Sequence, residues 1–267
     1  MHVVVVTRIT TSIDHESAAL AAALGTTAYE ERLRLVAGLP AIVLTTADAG
    51  SAAALLAGLR ARGQGAVSFE GSEVIASDDM VSMKSFAFEG DALTVAGPRG
   101  GRLEYADVLA LVRAMHRTST QTVGRVAEKK LSVGRAILTG GLVASKSVTR
   151  EETTSAHERD QVLYMFRQSG ETPWLMRERG TNYAGLGATL APASAQNFMA
   201  VIQRLRERAP HAVYDERLMK PRSGPAVVSR SGGTHSSAVS TSTANITDLL
   251  AHAIARAIVE GCWPPIE

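Results

Sequence analysis

Residues 24–43 read LGTTAYEERLRLVAGLPAIV, and the punctuation of this stretch decides the architecture around it. Gly25 ends one helical pattern. Thr27 then offers an N-cap, with Glu30 three residues later in the capping-box position. The helix that follows places Tyr29, Leu33 and Val36 on one side and ends at Gly38. Pro40 cannot continue a helix, and AIVLTT after it has the β-branched content of a strand. Toward the N-terminus, SAALAAALG is an Ala/Leu-rich helix and Val3 to Val6 form a strand, with Thr10-Thr11-Ser12 as the polar turn between them. Toward the C-terminus, Asp48 starts the helix AGSAAALLAGLRARG, which stops at Gly63, and GAVSFEG is a third strand. The expected order over residues 1–71 is βααβαβ.

The opening VVVV strand, LGTTAYEERLRLVAGLPAIV and ADAGSAAALLAGLRARGQGAVSFE together resemble the C-terminal domain of the bacterial ribosomal stalk protein. The ClpS protease adaptor has the same fold and resembles the segment about equally. The resemblance implies a small α+β domain. It carries neither activity. The lysine-rich factor-binding helix of the stalk domain is replaced by Ala-rich text, and the acidic ligand pocket of the adaptor is echoed only by Asp14, His15 and Glu16.

Residues 72–83 read as a linker, with Asp78-Asp79 as its polar break. A second domain is expected over residues 84–220. SFAFEGDALTVAG is a hairpin turning at Gly90-Asp91. Periodicity leaves LEYADVLALVRAM open between strand and helix. QVLYMFRQSGETPWLMRER is another hairpin with QSGETP as its loop, and Trp174 is expected to be buried. ASAQNFMAVIQRLRERA is an amphipathic helix with Phe198, Ile202 and Leu205 as its stripe. Strands followed by one closing helix resemble a pleckstrin-homology-like domain, which implies a bent β-barrel. Residues 221–244, rich in Ser, Thr, Gly and Pro, read as a flexible linker. Residues 245–260 follow as an amphipathic helix capped by Asn245, with Asp248 favourable to its dipole. Leu249, Leu250, Ile254 and Ile258 are its candidate partner-binding residues. Its own chain, a second copy or another protein would each cover that face, so homo-oligomerisation through this helix stands among the expectations.

Composition narrows the function. The chain has 267 residues, 45% of them hydrophobic and 20% charged, the balance of a globular protein able to build a core. A net charge of +2 is too small for nucleic-acid binding by the whole chain. The single cysteine, Cys262, excludes an internal disulfide and a Cys-based zinc site, and fits a cytoplasmic location. The apolar run at the N-terminus is too short for a signal peptide, and no stretch approaches a membrane span.

The remaining chemistry concentrates in TSTQTVGRVAEKKLSVGRAILTGGLVASKSVTR, residues 118–150. A phosphate-binding P-loop needs GxxxxGK[ST], so that backbone N–H groups curl round the phosphate. Gly134 and Gly140 are one residue too far apart, and the dinucleotide fingerprint GxGxxG is absent. Two readings remain: a connector or edge hairpin turning at Gly140-Gly141, or a basic surface in which Arg125, Lys129, Lys130 and Arg135 bind an anionic partner, a phosphate ligand or a lipid headgroup. No nucleophile motif, no HxxxH pair and no calcium loop appears. No catalytic residue, metal ligand or cofactor is therefore assigned. The expectation is a cytoplasmic, non-enzymatic adaptor or scaffold that binds protein. The alternative is a sensor or enzyme for a phosphate-bearing ligand.

Overall fold

Four consecutive valines, Val3 to Val6, are fully buried, which a strand achieves only when both of its faces are covered. They lie in β1 (His2–Arg8), the central strand of an antiparallel sheet flanked by β2 (Ala41–Thr46) and β3 (Gly65–Glu70). The structure is a computed structural model that describes residues 1–97, 100–131, 145–220, 227–232 and 236–264. The chain divides into two units, the first made of Met1–His116, Asp160–Pro225 and Ala244–Glu267, the second of Arg117–Arg159 and Ala226–Thr243. The fold is α+β with open sheets.

In the first unit, α1 (Ile13–Leu24) and α2 (Ala28–Val36) follow β1, and α3 (Ala49–Ala61) joins β2 to β3, giving the βααβαβ order. Local chemistry sets these boundaries. Gly25 closes α1 in the left-handed region at φ 67°, which costs glycine little. The Thr27 hydroxyl accepts from the Glu30 N–H at 3.2 Å while the Glu30 carboxylate accepts from the Thr27 N–H at 3.0 Å, a closed capping box. Asp48 caps α3 by accepting from the Gly50 and Ser51 N–H groups. The structure starts α1 earlier than expected, because Ser12 is its N-cap. It also turns α2 over. Leu35 and Glu31 face inward, whereas Tyr29, Leu33 and Val36 are 68%, 52% and 54% exposed. Glu31 is tolerated inside because it pairs with Arg34 at 2.9 Å and accepts from the Thr26 hydroxyl at 2.8 Å.

Alternation along β1 sorts its side chains into two cores. Val4 and Val6 pack with Leu20, Leu35, Leu55 and Leu59 of the three helices. Val3 and Val5 pack, with Val67 and Phe69 of β3, into the core that holds α5 (Ala244–Val259). The same core takes Ala110, Val112 and Ala114 of β8 (Val108–Leu131) and Val162, Tyr164 and Phe166 of β9 (Ser145–Arg167). The C-terminal helix therefore lies between two sheets of the first unit. Leu250 is 2% and Ile254 0% exposed, and Leu249 and Ile258 pack on the same core. Of the three coverings expected for its apolar side, its own chain, a second copy or another protein, the structure shows its own chain.

The second sheet of this unit continues through β10 (Trp174–Arg177), antiparallel to β9, to β4 (Val81–Ser82), parallel to β10, while β11 (Val213–Leu218) runs parallel to β8. Its far face packs Leu111, Leu163, Met165 and Met176 against Phe198, Val201, Ile202 and Leu205 of α4 (Ser194–Arg208). Beside α4, β5 (Phe86–Phe88), β6 (Ala92–Val95) and β7 (Gly101–Glu104) pair with one another as a separate sheet. No sheet closes into a barrel among the described residues, because β5 to β7 form their own sheet. Residues 108–116 are strand, which resolves the ambiguity of LEYADVLALVRAM.

In the second unit, β12 (Val227–Gly232) and β13 (Ser236–Ser242) form an antiparallel pair, and β13 pairs with residues 118–124 of β8. The segment expected to be a flexible linker thus contains two strands. Its Ser/Thr content hides them, because the ladder is made by backbone N–H and C=O groups and asks little of the side chains. The Thr120 and Ser240 hydroxyls meet across the pair at 3.3 Å.

Candidate functional site

Parallel pairing of β4 with β10 lays the chain from Ser77 to Lys84 beside Arg177. The chain after β10 turns at Gly180 (φ 87°), and the Thr181 hydroxyl lies 2.6 Å from the Arg177 carbonyl and 3.2 Å from the Met83 carbonyl. Asn182 N–H donates to the Lys84 carbonyl at 2.7 Å. These bonds frame a cleft of about 650 Å³ within the first unit. Met80 and Met83 form its apolar floor, and Lys84, Arg177, Arg179, Asp78, Ser77 and Thr181 line it with polar groups.

The charges of this cleft are unbalanced. Among the described residues, three cations line it against one carboxylate, Asp78. Neither Lys84 nor Arg179 has a carboxylate within ion-pair distance among the described residues. Among the described residues Arg177 has weak partners only: Asp78 at 3.4 Å, Asp160 at 3.8 Å and His116 Nδ1 at 3.5 Å. Elsewhere in the same unit, arginines close onto carboxylates as charge-assisted bonds should, Arg167 on Asp107 at 2.6 Å and Arg32 on Asp14 at 2.7 Å. Burial pushes the Asp160 carboxyl up, despite the nearby Arg177 and Arg179. The guanidinium of Arg177 thus keeps several N–H donors without a short bond.

Behind Arg177 runs a buried hydrogen-bonded chain. His116 has the same strand parity as Ala110, Val112 and Ala114, so it faces α5 with them. Its Nε2 lies 2.6 Å from the Tyr164 hydroxyl, which donates to Asp248 Oδ1 at 2.6 Å. Ser77 N–H donates to Asp248 Oδ2 at 2.9 Å, and the Ser77 hydroxyl donates to Oδ1. The donors fix the tautomer. Arg177 donates only, so His116 Nδ1 accepts, and Nε2–H must donate to Tyr164, whose own proton is committed to Asp248. Burial first, with the Arg177 charge assisting, holds the imidazole down to about 4, so it is neutral although Asp248 Oδ1 lies 3.9 Å from Nε2. Burial also pushes the Tyr164 phenol up, and the Asp248 charge adds to this. One turn on, His252 Nδ1–H donates to the Asp248 carbonyl at 2.9 Å and its Nε2 accepts from the Ile75 N–H at 3.2 Å; burial pushes this imidazole down as well. The two ends of the chain, Arg177 and Ser77, both line the cleft.

Of the candidates expected from the sequence, Arg125, Lys129 and Lys130 fall in the backbone of β8, and Arg135 lies outside the described residues. The arrangement of those four side chains lies outside the described residues too. Leu249, Leu250, Ile254 and Ile258 are brought together in the core of the first unit. Asp14, His15 and Glu16 form the first turn of α1, where Asp14 pairs with Arg32 and the buried Glu16 with Arg62 at 2.6 Å. Among the described residues, no group of three or more His, Cys, Asp and Glu side chains is placed to hold a metal ion, and no helix is long and apolar enough to cross a membrane.

No sequence motif joins Lys84 to Arg177 and Arg179, and strand pairing of β4 with β10 brings it beside them. Sequence reasoning reads Asp248 as a helix-dipole residue. A signal was present: Ala251 and Ala255 give α5 a second, small-residue side, and Asp248 and His252 flank that side at helical spacing. The chain matches no protein-family profile, no curated protein and no solved structure.

Proposed function

We propose that the protein is a non-enzymatic binding protein whose cleft takes a small molecule bearing a phosphate or carboxylate group. The observation that carries this reading is Arg177, a cleft-lining arginine with no partner closer than 3.4 Å among the described residues, accompanied by Lys84 and Arg179. Planar guanidinium groups suit bidentate oxyanion recognition, and the methionine floor suits the apolar body of such a ligand. The test is calorimetric titration with sulfate, inorganic phosphate and a simple dicarboxylate. Arg177→Ala and Arg179→Ala should each weaken binding by roughly tenfold or more, the worth of a charged hydrogen bond. Wild-type protein that binds none of the three anions, or variants that bind equally well, would sink the reading. Loss of binding on charge reversal at Lys129 and Lys130 alone would move the site to β8.

A second reading, an adaptor for protein, is favoured by α2. Its exposed Tyr29, Leu33 and Val36 recur at helical spacing on one face, the pattern of a docking surface. The βααβαβ order of residues 1–71 supports a likeness to the stalk and ClpS folds, and α4 packed on strands supports a weaker likeness to pleckstrin-homology-like domains. The lone cysteine suits a reducing cytoplasm.

A further inference from the structure

The buried chain behind the cleft serves no evident purpose in simple anion capture. A core of this size would be as well filled by apolar side chains, and each buried polar group adds a desolvation cost. Yet Arg177, His116, Tyr164, Asp248 and Ser77 form one path that leaves the cleft, passes through the core between β8, β9 and α5, and returns to the cleft. Resting on the reading of the cleft above, we propose that an anion bound at Arg177 is taken up together with a proton, and that His116 accepts it.

Within the buried chain the geometry leaves one place for the proton. Nε2 of His116 already carries one, given to Tyr164. The hydroxyl proton of Tyr164 is given to Asp248. Both oxygens of Asp248 accept, one from Tyr164 and the Ser77 hydroxyl, the other from the Ser77 N–H. Within this buried chain that leaves Nδ1 with its lone pair on the Arg177 side, and its donor among the described residues is Arg177 at 3.5 Å. An oxyanion that forms short bonds to Arg177 draws the guanidinium away from Nδ1 and cancels its charge. A hydronium ion in the cleft solvent then gives its proton to the Nδ1 lone pair: the N–H bond forms as the hydronium O–H bond breaks, a water molecule leaves, and no oxidation state changes.

Every charged or titratable group facing the imidazole acts in a known direction. Tyr164 on β9 is held neutral by burial. Arg177 on β10 opposes the protonated ring, and Asp78, before β4, favours it. Asp248 on α5, at 3.9 Å from Nε2, favours it most. Asp160 acts through Arg177, at 3.8 Å. An anion on Arg177 removes the opposing charge and leaves the carboxylates, so the sign is proton uptake on binding.

The probe is sulfate, which carries no titrating proton in the acid range used. Its heat of binding is measured at about pH 5, roughly one unit above the resting value of the imidazole, in two buffers of different ionisation enthalpy. Wild-type protein should bind with a buffer-dependent enthalpy equivalent to a fraction of a proton taken up. His116→Gln keeps a donor toward Tyr164 and should show none, whatever affinity it retains. Because that variant alters a buried site, the wild-type imidazole is also followed by NMR, where added sulfate should move the His116 ring signals toward the imidazolium position. Binding with no proton uptake, uptake that persists in His116→Gln, or ring signals that stay still would overturn the proposal and leave the cleft reading intact. A wild-type protein that binds no sulfate overturns this proposal, and one that binds neither phosphate nor the dicarboxylate as well sinks the cleft reading with it.

Discussion

Replacing His116 by Gln should flatten the acid side of the protein's stability profile. In the folded protein, burial and Arg177 hold this imidazole down to about 4, against an ordinary 6.5. Below the ordinary value the unfolded chain binds a proton at this position that the folded chain does not, so stability falls as pH drops from 6.5 toward 4. The gap corresponds to about 3 kcal/mol at about 1.4 kcal/mol per pH unit. For a unit of this size, that is about 6–12 °C of melting temperature. Gln cannot titrate, and its amide still donates toward Tyr164. The assay is thermal unfolding of both proteins in steps from neutral pH to about pH 4. The expected result is an excess fall in the wild-type melting temperature of that magnitude, after subtraction of the constant offset between the two proteins. Parallel profiles would refute the reasoning, because they would mean that His116 binds its proton equally well folded and unfolded. His252 is held down by the same cause, so His252→Gln should give a shift in the same direction.

Two further substitutions test the packing. Leu250→Ala removes a side chain 2% exposed in the core between the two sheets, and should cost about 2–5 kcal/mol by denaturant or thermal unfolding; a cost under about half a kcal/mol, the surface value, would mean that α5 is not held there. Leu33→Arg, on the exposed side of α2, should leave the melting temperature within about 2 °C of wild type, since surface changes stay within about half a kcal/mol. If α2 is a docking face, the same change should abolish capture of any partner that binds the wild-type protein, and undiminished capture would remove α2 from the adaptor reading.

The N-terminal fold was legible because its signals are local. Gly25, the Thr27–Glu30 box, Asp48 and the valine run each act over one or two turns of chain, and each appears in the structure where the sequence puts it. The rotation of α2 was not legible. Two stripes compete on that helix, and an ion-paired Glu31 took the inner position with Leu35 while three apolar residues stayed outside. The pair β12 and β13 was hidden for a related reason: backbone pairing with β8 makes strands of Ser/Thr text that composition alone reads as linker.

By itself, then, the sequence determined an α+β chain, the βααβαβ order of its first 71 residues and an amphipathic C-terminal helix, since capping, glycine conformation and hydrophobic period are properties of neighbouring residues. Only the tertiary structure decided that the helix lies between two sheets of its own chain, and that Ser77, His116, Tyr164, Arg177 and Asp248 form one path. Those residues are separated by tens of positions along the chain, and strand pairing and burial, which no local pattern records, bring them together.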